Sequence, residues 1–248
     1  MTRVLVSADM EGVTGVTCPD DVEPGTASWE RMRPLFTGDV NAVVDGLLAG
    51  GASEVLVNDA HSTQRNLLHE ALDPRARPLT GRHKPLGMTA DEGRMNALIA
   101  EEHGVPVVLV TGDDLPCRAA ATWAPDALVA VVKECVSRYA AVCLPPARSA
   151  ELLRARAAEA AARPTRRPAP SAPADTGPAR RRGAPGRPHR FALDFHAPHL
   201  AATVLAVPTV EAAGPRGVAF TAPDATTAAR TFKVCTTVAG AAMEDHFR

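Results

Sequence analysis

Asp9 and Glu11 stand two residues apart in Ser7-Ala8-Asp9-Met10-Glu11-Gly12, at the end of a short apolar run over 3–8. If that run is a strand, its period of two sends both carboxylates to the same side, and Gly12 has no side chain to obstruct a close ligand. His61 holds the matching place after a second apolar run, 53–58, within Asn58-Asp59-Ala60-His61-Ser62. Parallel strands would bring both ends to the carboxyl edge of a sheet, where open α/β folds place their sites. Glu92, at the start of a predicted helix over 91–103, can face the same edge. Two carboxylates, an imidazole and a third carboxylate form a donor set suited to a metal ion and to metal-assisted hydrolysis. Taken singly, the same residues read as a turn, a helix cap and a surface histidine. Only as a set at successive strand ends do they point to a metal.

The elements that must position them alternate. Strands are expected at 3–8, 53–58, 105–111, 128–133, 191–195 and 217–221. Helices are expected at 37–49, 91–103, 115–123, 149–162 and 224–242. The helix at 37–49 shows its face through apolar positions 40, 43, 44, 47 and 48 and stops at Gly50-Gly51. This β-α-β-α-β order predicts an α/β fold, layered, with a mostly parallel central sheet flanked by helices. Residues 163–190 break the pattern, with eight arginines and seven prolines against one acid, Asp175. Such a stretch buries too little apolar surface to order itself and reads as a flexible linker or loop. The expected organisation is a metal-site domain over 1–162, the linker over 163–190, and C-terminal strands and a helix over 191–248 that complete the fold.

Composition excludes several classes. The 248 residues carry 27 basic and 28 acidic side chains, a net charge of -1, which gives no whole-chain electrostatic case for a nucleic-acid or membrane partner. The basic linker has no aromatic interleaving, so a solvated segment is favoured over a nucleic-acid tail. No apolar run approaches the roughly 20 residues that span a bilayer, and the N-terminal run is too short for a signal peptide. Five cysteines without C-x-x-C spacing suggest a reduced, cytoplasmic protein. The glycine patterns fit neither G-x-G-x-x-G nor a P-loop, and Ser7 and Ser62 lack the G-x-S-x-G elbow. Asp113 and Asp114 end the 105–111 strand, and capping of the next helix is the favoured reading for them.

Ser7-Ala8-Asp9-Met10-Glu11-Gly12 together with Val57-Asn58-Asp59-Ala60-His61-Ser62 resembles peptidase family M55, the DppA-type D-aminopeptidases. Lys84-Pro85-Leu86-Gly87-Met88, Asn96-Ala97 behind Glu92, and Val105 to Asp114 extend the likeness, which weakens through the linker and returns at Val218-Ala219-Phe220. The resemblance implies a zinc-dependent enzyme with a dinuclear site that removes N-terminal D-amino acids from short peptides. It also implies a ring-like homo-oligomer. Carried over position by position, Asp9, Glu11, His61 and Glu92 match four metal ligands.

The resemblance also exposes a gap. Between the K-P-x-G-M motif and the Glu-bearing helix the family carries several dozen residues, and here only Thr89-Ala90-Asp91 stand there. The absent segment would hold a metal-ligand histidine, the catalytic histidine and a strand, so no catalytic residue is assigned. His83 is the best spare. His103 lies roughly 16 Å along the helix from Glu92. His69 reads as surface, and the proline in His196-Ala197-Pro198-His199 opposes a helical metal pair. The expected function is a zinc aminopeptidase of impaired activity, with one three-ligand ion and a weakened second site. The alternative is a metal-binding paralogue, or truncated gene product, without turnover.

Overall fold

The computed structural model describes residues 2–82, 84, 93–165 and 188–244. They fall into two compact units, one drawn from Met1–Lys84, Met88–Ala97 and Pro106–Arg167, the other from Pro85–Gly87, Leu98–Val105 and Pro168–Arg248. Most of the expected linker, residues 166–187, lies outside the described residues, as do Glu92 and His83.

In the first unit β1 (Thr2–Ala8), β2 (Ala52–Asp59) and β3 (Ala76–Leu79) form an all-parallel sheet in the order β1-β2-β3. A second sheet pairs β4 (Leu109–Asp113) parallel to β5 (Leu128–Ser137), which turns back on β6 (Ala140–Cys143). The α/β class is as expected, with the parallel pairing divided between two sheets. β1 alternates rather than burying throughout, since Val4 and Val6 pack into the core while Leu5 is exposed. β4 starts later than its apolar run suggests, at Leu109, although the Val108 carbonyl already accepts from Leu128 N at 3.0 Å.

The helix expected at 37–49 begins ten residues earlier. α1 (Ala27–Ala49) is capped by the Thr26 hydroxyl, which accepts from the Trp29 N–H. It buries Phe36, Val40, Val43, Val44 and Leu47 against Val55, Val57, Met10 and Leu153. Gly51, at φ +102, supplies the left-handed residue past its end. α4 (Pro146–Ala162) lies against α1 at backbone distance. A Cβ on Gly46 would stand 2.2 Å from the Arg154 carbonyl oxygen, and one on Gly50 would stand 2.3 Å from that of Ala158. α2 (Gly93–Glu102) and α3 (Asp114–Trp123) occupy their expected places within two residues.

The second unit is antiparallel, with β7 (His189–Asp194), β9 (Gly217–Ala222) and β8 (Glu211–Ala212) in the order β7-β9-β8. α5 (Pro198–Val204) and α6 (Ala225–Glu244) bury Leu200, Val204 and Cys235 with Val218 and Phe220 of β9. Pro198, taken from sequence as opposing a helix, opens one, at the position where a missing N–H costs nothing. The buried carboxylate of Glu102 accepts from Thr226 N and Oγ1 at the start of α6, where the helix dipole favours an anion.

The glycines of α1 give opposite predictions. Gly38 is exposed, and a Cβ added there would meet nothing within 4 Å, so Gly38→Ala should gain about 0.5–1 kcal/mol of helix propensity. Gly46→Ala gains the same but must force α4 away, at a cost of about 1–3 kcal/mol. Thermal unfolding should show the first variant above wild type and the second below it. A stabilised Gly46→Ala would contradict the close packing.

Candidate metal centre

β1 and β2 run parallel with Ala8 beside Asp59, and the Ala60 N–H donates to the Ala8 carbonyl at 2.8 Å. The chains therefore leave the sheet side by side. Asp9 and Glu11 lie beyond β1 in a turn rather than in the strand, so strand alternation is not what aligns them. The Met10 N–H folds back onto Asp9 Oδ1 at 3.0 Å and the Met10 side chain is fully buried, which leaves the two flanking carboxylates together.

His61 Nδ1 lies 2.8 Å from Asp9 Oδ1 and 3.1 Å from Glu11 Oε2. Its Nε2 lies 2.7 Å from the Val22 carbonyl oxygen, which can only accept, so Nε2 carries a hydrogen. Both ring nitrogens thus face acceptors. Burial opposes a charge on His61, but the hydrogen bonds to Asp9 and Glu11 outweigh it and raise its pKa to about 10. Burial raises Asp9 to about 7 against the pull of His61. For Glu11 burial is again the largest influence, but hydrogen bonds from His61 and Asp9 overcome it and lower the carboxyl to about 2.

The donor atoms of Asp9, Glu11 and His61 lie within 4.8 Å of one another. Tetrahedral zinc, with donors at 2.0–2.2 Å, sets them about 3.3 Å apart. The two separations from His61 Nδ1, 2.8 and 3.1 Å, lie within a few tenths of an ångström of that spacing. A backbone carbonyl on the far ring nitrogen is the usual device that fixes the tautomer of a metal-binding histidine. Here it leaves Nδ1 as the ligand atom.

These groups are held by Asp59 and Lys84 of the quoted motifs and by several residues that the sequence did not single out. Asp59, fully buried, accepts from Asn66 N, Asn66 Nδ2 and Leu67 N. Asn66 Nδ2 also donates to the His61 carbonyl, and Asn66 Oδ1 accepts from Trp29 Nε1. This closes the 59–67 loop on itself through a backbone with positive φ at Ser62 and Gln64. Lys84 of the K-P-x-G-M motif donates to Asn58 Oδ1 and to the Asp59 carbonyl. Asp39 on α1, pushed up to about 6 by burial, accepts from Thr14 N and Ser149 Oγ. Lys133 of β5 donates to the Glu11 and Val16 carbonyls. Trp29, Lys84, Asp39 and Lys133 act across 25 or more residues of chain, which leaves no spacing to read, while the Asp59–Asn66–His61 bonds close within the loop itself.

The other candidates stand apart. Asp113 accepts from Leu115 N as the cap of α3, as expected, and Asp114 pairs with Arg118. His69, His103, His196 and His199 are outside the cluster. Glu92 and His83 fall outside the described residues.

The sequence model of peptidase family M55, D-aminopeptidase, matches residues 2–91 and 87–234. The chain belongs to the M55 peptidases. A D-aminopeptidase of Bacillus subtilis (strain 168) is 31% identical over 195 residues, 61% of this chain and 70% of that protein. A solved structure, the zinc-dependent D-aminopeptidase DppA from Bacillus subtilis, described as a self-compartmentalizing protease, superposes with a TM-score of 0.80 at 26% identity over the whole of both chains. The two segments matched to the M55 family meet at 87–91, the interval where the motifs of this sequence close up.

His61 gives a prediction for the metal-free protein. Its folded pKa of about 10 lies above the ordinary 6.5. The stability it contributes is therefore full below pH 6.5 and lost as pH rises through 10. His61→Asn has no such proton, so its melting temperature should fall less steeply between pH 7 and 10. Parallel slopes for the two proteins would count against the charged imidazole.

Proposed function

We propose that this chain is a zinc-dependent aminopeptidase that releases D-amino acids from the N-termini of short peptides, at a rate below that of an uninterrupted family member. The observation that carries the reading is His61, whose Nε2 is committed to the Val22 carbonyl while Nδ1 faces two carboxylates. Asp9, Glu11 and His61 would hold the ion, and Glu92 is assigned to the same set by its place in the family motif. Zinc at that position supplies Lewis acidity toward the scissile carbonyl and the attacking water. The carboxylates of Asp9 and Glu11 give the edge a negative charge that suits the free ammonium of a peptide N-terminus. The Val22 carbonyl keeps His61 in one tautomer through the reaction.

Reduced activity follows from the short interval Thr89-Ala90-Asp91, which offers no position for the family's further ligand histidine or its catalytic histidine. Loss of a positioned general acid/base removes roughly 10²–10⁴ in rate. A second reading, zinc binding without turnover, is favoured by one observation: among the described residues no second histidine joins the cluster. The self-compartmentalizing description of the Bacillus structure supports self-association of this chain as well. Five free cysteines accord with the cytoplasm as its compartment.

Hydrolysis of a D-alanyl chromogenic amide by the zinc-reconstituted protein tests the reading. The expected result is slow turnover, abolished by chelation and by Asp9→Ala and absent with the L-alanyl amide. Turnover that survives both treatments would overturn the metal assignment. A folded, zinc-loaded protein without turnover would establish the second reading.

A further inference from the structure

Lys133 is the least expected side chain in the first unit. It projects from the middle of β5, is almost fully buried, and among the described residues has no carboxylate within ion-pair distance. A buried cation without a paired anion is poor stabilisation, and an apolar side chain of similar volume often serves a core as well or better. What the ammonium does here is grip main chain. It donates to the carbonyl of Glu11 and, at 2.7 Å, to that of Val16. Those carbonyls lie five residues apart on the loop that carries both carboxylates, so one side chain fixes the loop at two points.

The contact has a direct consequence for Glu11. With its carbonyl held on Lys133, its carboxylate is turned toward His61 Nδ1, where it lies 3.1 Å away. The same stretch is pressed on β4, since a Cβ on Gly12 would stand 3.2 Å from Gly112 Cα. That crowding limits other paths for the loop. Asp9 is held independently, by the end of β1 and by Met10 N. Glu11 is the more exposed of the two carboxylates, 46% against 18% for Asp9, so its place depends more on how its main chain is held.

We propose that Lys133 is a positioning residue for the metal centre, holding the Glu11 main chain so that its carboxylate stays within reach of the ion bound by Asp9 and His61. The inference rests on the metal reading above and names a residue beyond its ligand set. Lys133→Met keeps the length and apolar stem and removes the donors. Its zinc affinity, measured by chelator competition, should fall about 10–100-fold, the usual effect of losing support behind a ligand. The melting temperature of the metal-free variant should fall only modestly, as two main-chain carbonyls lose their donor. Lys133→Gln, able to reach one carbonyl, should fall between.

A purely structural lysine predicts a lowered melting temperature with unchanged zinc affinity, and unchanged affinity would overturn the proposal. Wild-type protein that takes up no zinc would instead defeat the metal reading. The proposal is then decided by the ring nitrogen shifts of His61 in the metal-free proteins. These should move in Lys133→Met as Glu11 leaves Nδ1, and identical shifts would overturn it.

Discussion

Two carboxylates share one imidazole nitrogen at 2.8 and 3.1 Å, and this concentration of negative charge is what the surrounding structure must hold in place. At the separation of at most 4.8 Å within the cluster, two unit negative charges would repel by about 3.5 kcal/mol or more at an effective dielectric of 20. One hydrogen bond, worth about 1 kcal/mol net, does not restrain that. A cation between the groups does. In its absence the imidazolium of His61 takes the part, which is why its proton is held so far above the ordinary range.

The scaffold answers the repulsion from behind rather than from the front. Parallel register at Ala8 and Asp59 brings the two chain exits together. Behind His61 stands the closed set of bonds among Asp59, Asn66 and Trp29. Behind Glu11 stands Lys133, and Asp39 ties the same loop to α1 and α4 through Thr14 and Ser149. The left-handed backbone at Ser62 and Gln64 is the kind of strain that persists only where surrounding bonds over-determine it. The front of the site, toward solvent, is left to the carboxylates, and Glu11 is the more open of the two.

Sequence revealed the parts of this arrangement that are local. Asp9, Glu11 and His61 were legible because strand ends in a parallel sheet meet by construction, although the two acids sit in a turn just past β1. The core face of α1 was legible from its period, but its first ten residues were not, since they are fixed by the Thr26 cap and the burial of Trp29. The β5–β6 hairpin and the short β3 and β8 escaped notice because pairing partners, not apolar runs, define them. Lys133 was invisible for a related reason. A lysine 122 residues from the carbonyl it holds leaves no spacing to read.

X-ray absorption at the zinc edge of the loaded protein tests the central claim most directly. The account predicts a first shell of nitrogen and oxygen alone, with the outer-shell signature of a single imidazole, lost in His61→Asn. Sulfur in the first shell would move the ion to another cluster, such as Asp113, Asp114 and Cys135. Two imidazoles per zinc would mean that a histidine outside the described site completes it, and either result would contradict a centre built on Asp9, Glu11 and His61.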